Sequence, residues 1–420
     1  MFLVVSLIFT LIFGLANVYI YKRLFMHIPF LKAHRRVVFS VVLILFAAQF
    51  SFLLFRADDR FANPIYIGLS HTFAPTYFFF FLTLFKDILE FLIKKWAQNA
   101  VNVKFDEKRR VSIKLLFNFS LLIFGLGLIL RGWGNANFIP DVKTLKLNLK
   151  NLKENLRLVM ISDVHLGKNL HERFLKGLIT KINALKPDVV VIVGDLVDTK
   201  PAELEHYIGD LNKIESKYGT FYSLGNHEYY RGLDGVLKLL KEKTNLNILI
   251  NESVDIGPLN IGGLADLAGL RFVNEGDKIR NENDTEQEIS SLENSAKSTG
   301  LSGLGLSGDV NFIPDLEQTQ KNLSPNKPSI LLSHQPKTAN LYDLSKFDLI
   351  LSGHTHGGQV FPFGALVYLQ QGFLHGLYEL KYGSKLYVSS GAGFWGPAIR
   401  FLAPSEIVLI ELSSKNLSNS

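Results

Sequence analysis

The amino-acid sequence is that of an α/β domain carried behind an all-α transmembrane region of four helices. Long apolar runs are confined to the first 135 residues, whereas from about Asp141 short apolar runs alternate with amphipathic stretches. That alternation is the texture of strands and packing helices. The short runs also end in Asp, His or Asn, placing candidate ligands at strand ends, where open α/β sheets bind ligands. At 420 residues the chain exceeds one ordinary domain. The expected division is a transmembrane region over 1–135 and an α/β domain over 136–420.

The apolar runs are Phe2 to Tyr21, Val37 to Phe55, Ile65 to Phe85 and Ile113 to Leu130. Each approaches the roughly 20 residues that cross a bilayer core. Lys22 and Arg23 follow the first run, which lacks a basic stretch before it and a small-residue cleavage site after it. It therefore reads as a retained anchor in an integral membrane protein. The third run departs most from the pattern, with His71 and Pro75 inside it. Lys22, Arg23, Lys32, Arg35 and Arg36 fill the first loop, and Lys86, Lys94, Lys95, Lys104, Lys108, Arg109 and Arg110 the third. By the positive-inside rule these loops are cytoplasmic and the α/β domain extracytoplasmic, facing the periplasm in a double-membrane bacterium. Only three crossings would reverse the side.

Through Lys150 there are 19 Lys and Arg against 7 Asp and Glu, leaving 26 against 31 of the total 45 and 38. The basic balance thus belongs to the membrane region, and no nucleic-acid partner is expected for the acidic remainder. Cysteine is absent, which excludes disulfides, thiolate metal sites and cysteine nucleophiles.

In the second half, Arg157 to Ile161 leads into Ser162-Asp163-Val164-His165, and Asp188 to Val193 into Gly194-Asp195-Leu196-Val197-Asp198. Thr220 to Leu224 leads into Gly225-Asn226-His227-Glu228, and Ser329 to Leu332 into Ser333-His334. Asp348 to Leu351 leads into Ser352-Gly353-His354-Thr355-His356-Gly357-Gly358-Gln359. Leu170 to Leu185, with Phe174, Leu175, Leu178, Ile179 and Ile182 at helical spacing, is expected to be a packing helix. From about 274 to 309 the polar, Ser- and Gly-rich composition reads as a flexible insertion.

These endings suit a pair of divalent cations, which need a shared anionic ligand between them. Asp195 is the natural bridge. Asp163 and His165 can reach one ion if the chain turns sharply, His354 and His356 can serve different ions, Asn226 offers a carbonyl oxygen and His334 completes the set. Oxygen and imidazole donors without sulfur suit Mn, Fe, Zn or Co.

The ordered set resembles the calcineurin-like metallophosphoesterase family, whose D-x-H, G-D, G-N-H-[DE], single H and G-H-x-H elements are all matched between about Val142 and Leu412. The resemblance implies a four-layer αββα sandwich, with two β-sheets flanked by helices. It implies one metal on Asp163, His165, Asp195 and His356, a second on Asp195, Asn226, His334 and His354, and His227 as the catalytic histidine. Gly-His-Thr-His-Gly-Gly-Gln, Tyr387-Val388-Ser389-Ser390-Gly391, Arg400 and Pro404-Ser405-Glu406 look like the membrane-anchored or exported bacterial branch. Some proteins of that branch and its relatives cleave the pyrophosphate of UDP-2,3-diacylglucosamine. The insertion after Phe272 departs from the pattern, while Gly263 and Asp266 fit a G-x-x-D element of such relatives.

The expected chemistry is hydrolysis of a phosphoester or pyrophosphate bond by in-line attack of a metal-bridging hydroxide at phosphorus. His227 serves the leaving oxygen, and Glu228 either orients His227 or lies at the surface. Attachment to the bilayer favours a lipid-linked substrate over a soluble phosphomonoester or phosphodiester. The rivals are a catalytically silent metal-binding sensor or interaction domain on a membrane anchor, and a transporter with an accessory domain. The transporter is opposed by spans that carry no central ionisable residue except His71.

Overall fold

A computed structural model describes residues 2–55, 63–99, 107–272 and 312–414. The insertion expected over 274–309 lies outside the described residues. The chain divides into two compact units, Met1–Ala136 with Trp395–Ile399, and Asn137–Phe394 with Arg400–Ser420.

The first unit is helical: α1 (Phe2–Arg23), α2 (Arg35–Phe55), α3 (Asn63–Ser70), α4 (Phe73–Asn99) and α5 (Glu107–Asn137). Among the described residues three stretches are long and apolar enough to cross a membrane, Ser6–His27, Arg35–Phe55 and Val111–Asn137. The third apolar run of the sequence is not one of them. It breaks after Ser70 into α3 and α4, and α4 carries Lys86, Asp87 and Glu90, too many charges for a plain apolar span. Leu11, Leu15, Val41, Ile44, Leu116 and Ile123 face outward, the inverse of a water-soluble bundle and the pattern of a protein solvated by lipid. Polar side chains turn inward instead. Asn17 Nδ2 donates to Gln49 Oε1 at 2.9 Å, Gln49 Nε2 to Thr76 Oγ1 at 2.7 Å, and Thr76 Oγ1 back to Asn17 Oδ1 at 2.8 Å. This closed ring ties α1, α2 and α4 by hydrogen bonds where apolar packing gains little from lipid exclusion.

The second unit contains two six-stranded sheets. In the first, β1 (Asp141–Leu149), β12 (Glu406–Ser414), β2 (Leu156–Ile161), β3 (Val189–Val193), β4 (Thr220–Ser223) and β5 (Asn247–Leu249) lie side by side in that order. In the second the order is β10 (Gly376–Glu379), β11 (Lys385–Val388), β9 (Leu349–Ser352), β8 (Ser329–Leu332), β7 (Asn260–Gly263) and β6 (Glu252–Asp255). β2 to β5 are parallel, as are β7, β8, β9 and β11. Parallel strands need both faces covered, and β3 and β8 are buried along their whole length.

The principal core lies between the sheets. Leu158, Met160, Val189, Val191 and Val193 meet Ile261, Ile330, Leu332, Leu349 and Leu351 there. The alternate residues Leu331, Ile350, Leu386 and Val388 form a second core with Leu344 and Phe347 on the far face of the second sheet. Period-two alternation thus feeds two cores from the same strands. The packing helix read from the sequence appears as α6 (Glu172–Ala184), burying Phe174, Leu175, Leu178, Ile179 and Ile182. The architecture is the expected sandwich.

Candidate metal centre

The residues singled out in the sequence follow β2, β3 and β4 in one sheet and β8 and β9 in the other, so two sheets contribute to one centre. Backbone contacts stitch the endings together. Asp163 N–H donates to Gly194 O at 3.2 Å, His165 N–H to Asp195 O at 3.0 Å, and Gly353 N–H to His334 O at 2.9 Å. His354 N–H crosses between sheets to reach both carboxylate oxygens of Asp163, at 2.9 and 3.0 Å.

Asp163, His165, Asp195, His354 and His356 all have φ between 49° and 69°. Non-glycine residues rarely adopt this left-handed conformation, and such strain collects at functional sites. Here it produces the sharp turns that let residues two apart face the same point. Close packing does the rest: a Cβ on Gly353 would lie 2.2 Å from Asp163 Oδ2, and one on Gly194 2.5 Å from His334 Nδ1. Only glycine lets these loops approach so closely.

Among the described residues three donor groups result: Asp163, His165 and His356; His165, Asp195 and His227; and Asp195, His334 and His354. His356 Nε2 lies 3.4 Å from Asp163 Oδ1 and 3.0 Å from His165 Nε2. His334 Nε2 lies 3.2 Å from Asp195 Oδ2, and His354 Nδ1 2.8 Å from Asn226 Oδ1. Every ligand candidate read from the sequence is therefore within this one cluster.

A cation fits what these donors lack. His334 donates its Nδ1 proton to Val193 O at 2.9 Å, which fixes the tautomer as a ligand imidazole requires. Its Nε2 is then left buried, without a hydrogen-bond partner, facing the Asp195 carboxylate. A lone pair so placed needs a proton or a cation opposite it. Burial drives the His165 pKa down to about 3, assisted by His227, and holds His356 well below its usual range, so both rings are neutral donors. Burial also raises Asp163 to about 6, with Asp195 adding to the shift against His334. Asp195 is buried too, yet His334 and His227 keep it ionised: burial opposes the His334 charge, but Asp195 raises that pKa well above its usual range, so without a cation a proton sits on His334 Nε2, and a bound cation would take its place.

His227 stands at the edge of the cluster on α7 (Asn226–Tyr230). Its Nδ1 is 2.7 Å from Asp198 Oδ1, which Arg231 Nη2 also contacts at 2.7 Å. Burial opposes its charge, but Asp195 and Asp198 outweigh burial and raise its pKa to about 9. Glu228 does not orient His227, nor is it at the surface. It is fully buried and accepts the backbone N–H groups of Asp195, Leu196, Val197 and Gly225 at 3.1, 2.8, 3.2 and 2.8 Å. It is a clamp on the two loops that present Asp195 and Asn226. Asp198 takes the orienting role; its signal in the sequence was a second carboxylate three residues after Asp195. Asp266 of the G-x-x-D element is buried and accepts from Gln335 Nε2 and Ala268 N–H, both at 2.8 Å.

Residues 156–358 match the family model described as calcineurin-like phosphoesterase. The chain is 48% identical over 414 residues to an uncharacterized metallophosphoesterase of Campylobacter jejuni, covering 99% of each. It is 34% identical over 348 residues to an uncharacterized metallophosphoesterase of Helicobacter pylori, covering 83% of this chain and 84% of that one. A Bos taurus transmembrane protein with a metallophosphoesterase domain is 30% identical over 330 residues, 76% of this chain and 67% of that protein. With the sandwich, the clustered His and Asp donors and the apolar helices, these matches make the chain a member of the calcineurin-like phosphoesterase family, a membrane-associated, metal-dependent phosphoester hydrolase.

Proposed function

We propose that the chain cleaves a phosphoester or pyrophosphate bond of a lipid-linked substrate at a centre for two divalent cations. One is held by Asp163, His165, Asp195 and His356, the other by Asp195, Asn226, His334 and His354. The observation that carries this reading is that Asp195 shares one donor group with His165 and another with His334 and His354, the property of a bridging carboxylate. When bound, cations of the Mn, Fe, Zn or Co class supply charge for the phosphoryl oxygens and acidify the attacking water.

The chain's own residues do the remaining work. His227 points Nε2 toward the centre, 4.0 Å from Asp195 Oδ2, and gives its proton to the leaving oxygen. Asp198 fixes the ring from behind and Arg231 fixes Asp198, so the acid is oriented before substrate arrives. An intact His227 pair beside a complete donor set counts against a silent sensor.

The lipid-linked class is supported by the surface next to the site. Phe361, Phe363, Leu366, Tyr368 and Leu369 are exposed, just beyond the His354 loop, and no charged residue occurs from Phe361 to Gln371. An apolar, aromatic surface of this kind suits acyl chains better than a free nucleotide or sugar phosphate. UDP-2,3-diacylglucosamine-type pyrophosphates are one candidate. The test is a panel of lipid and water-soluble esters offered to metal-reconstituted protein in detergent. A kcat/KM advantage of at least about tenfold for lipid esters is expected, and Asp195→Asn should nearly abolish turnover. Equal rates on both classes would sink the lipid assignment, and full metal content with wild-type activity in Asp195→Asn would refute the bridge.

A further inference from the structure

Arg400 lies outside the ligand motifs, yet it is 0% exposed and its guanidinium is bonded to four backbone carbonyls. Nε donates to Gly393 O at 2.9 Å, and Nη1 to Ala403 O at 2.9 Å and His356 O at 3.3 Å. Nη2 donates to Ser390 O at 2.6 Å and lies 2.8 Å from His356 Nδ1. One side chain therefore holds the backbone of His356 together with those of Ser390, Gly393 and Ala403, and its Nη2 packs against the ring edge of His356, opposite the nitrogen that faces Asp163.

The loop it grips reaches Asp163 as well. Ala392 N–H donates to Ser162 O and Gly393 N–H to Asp163 O, both at 2.8 Å. At Gly391 the backbone is left-handed, and a Cβ there would sit 2.8 Å from Asp163 Cβ and 3.3 Å from Arg400 Nη2. Arg400, the 390–393 loop, Asp163 and His356 thus form one contiguous packing unit. On the other side His334 is fixed through Val193 O and the His354 ring lies beside Asn226, while the His354 backbone N–H, bonded to the Asp163 carboxylate, is the link between the two sides.

We propose that Arg400 is a positioning residue for one half of the centre: the Asp163, His165 and His356 side depends on it for cation affinity, and the Asp195, His334 and His354 side does not. The five-donor planar fork is what the role requires, because a lysine ammonium, with three donors, cannot span the backbone acceptors of His356, Ser390, Gly393 and Ala403 at once. The inference rests on the two-cation reading above.

Metal-stripped full-length protein in detergent, titrated with Mn²⁺ by calorimetry and followed by electron paramagnetic resonance, separates the two. Wild type is expected to show two binding events and a spin-coupled pair. Arg400→Gln should weaken one event by about 10- to 100-fold, the usual cost of losing an outer-shell partner, leaving the other event in place with an uncoupled Mn²⁺ signal. Arg400→Lys, the smaller perturbation, should fall between, and raised Mn²⁺ should restore turnover in both. Two unchanged events in a folded variant, or equal weakening of both, overturns the proposal while the two-cation reading stands. A single event in wild type overturns that reading and takes the proposal with it.

Discussion

Asp198 contacts His227 Nδ1 and Arg231 Nη2, each at 2.7 Å, so it governs both the direction and the acidity of the imidazole. In the role proposed for it, His227 would act as an acid only while protonated, below its pKa, and against the effect of burial Asp195 and Asp198 raise that pKa to about 9. Removing the Asp198 charge lowers it. Asp198→Asn should therefore bring the alkaline fall of kcat about one pH unit lower, the scale of one adjacent opposite charge. A pH profile of kcat reads this directly, and an alkaline limb that does not move would remove His227 from the acid role. Asp163 supplies a second pH test with the opposite sense. Its carboxyl is raised to about 6 by burial, with Asp195 adding, and a cation needs it ionised. Metal affinity should hold above that pH and fall as pH drops through it, by roughly tenfold per unit for one competing proton. Metal content after equilibration between pH 5 and 8 measures it, and occupancy flat across that range would exclude Asp163 as a ligand.

Strands and the helix over Glu172–Ala184 were legible because apolar periodicity and burial coincide there: β8 spans Ser329–Leu332 as read, and α6 falls within the expected Leu170 to Leu185. The ligand candidates were legible for the same reason, since each follows a strand that must end at a common edge. Left-handed turns at Asp163, His165, Asp195, His354 and His356 were not, because no residue type there announces positive φ as glycine would. Glu228 was misread because its partners are backbone N–H groups brought near only by folding. Arg400 appeared in the sequence as part of a terminal signature, and its distance from His356 in the chain concealed the contact between them. α8 (Gly364–Gln371) shows the limit of periodicity from another side: its apolar residues are exposed rather than buried, Leu366 by 63% and Leu369 by 79%. If that surface receives acyl chains, Leu366→Asp with Leu369→Asp should lower kcat/KM for a lipid ester by about tenfold or more. Hydrolysis of a water-soluble ester should not change, and parallel losses on both substrates would mean that the helix serves only the fold.

On the scale of the molecule the deciding question is on which side of the membrane the metal centre lies, because that sets which lipids it meets. Among the described residues three stretches qualify as spans by length and composition, and an odd number of crossings would put the termini on opposite sides. The cations argue for an even number. Lys22, Arg23, Lys32, Arg35 and Arg36 flank α1 and α2, and Lys86, Lys94, Lys95, Lys104, Lys108, Arg109 and Arg110 cluster before the apolar part of α5. Both groups satisfy the positive-inside rule only if the chain between them crosses twice, by α2 and by the apolar stretch that α3 and the first half of α4 share. A helix broken at Ser70 can still traverse a bilayer when neighbouring helices shield the break, and the Asn17, Gln49 and Thr76 ring supplies such neighbours. The expectation is therefore an extracytoplasmic phosphoesterase unit. Because the chain has no cysteine, single-cysteine labelling reads the topology without background. Lys153→Cys, exposed in the α/β unit, should react with a membrane-impermeant maleimide in intact cells, whereas Lys94→Cys, exposed on α4, should react only after permeabilisation. The reverse pattern would place the centre in the cytoplasm and redirect the search to lipids of the inner leaflet.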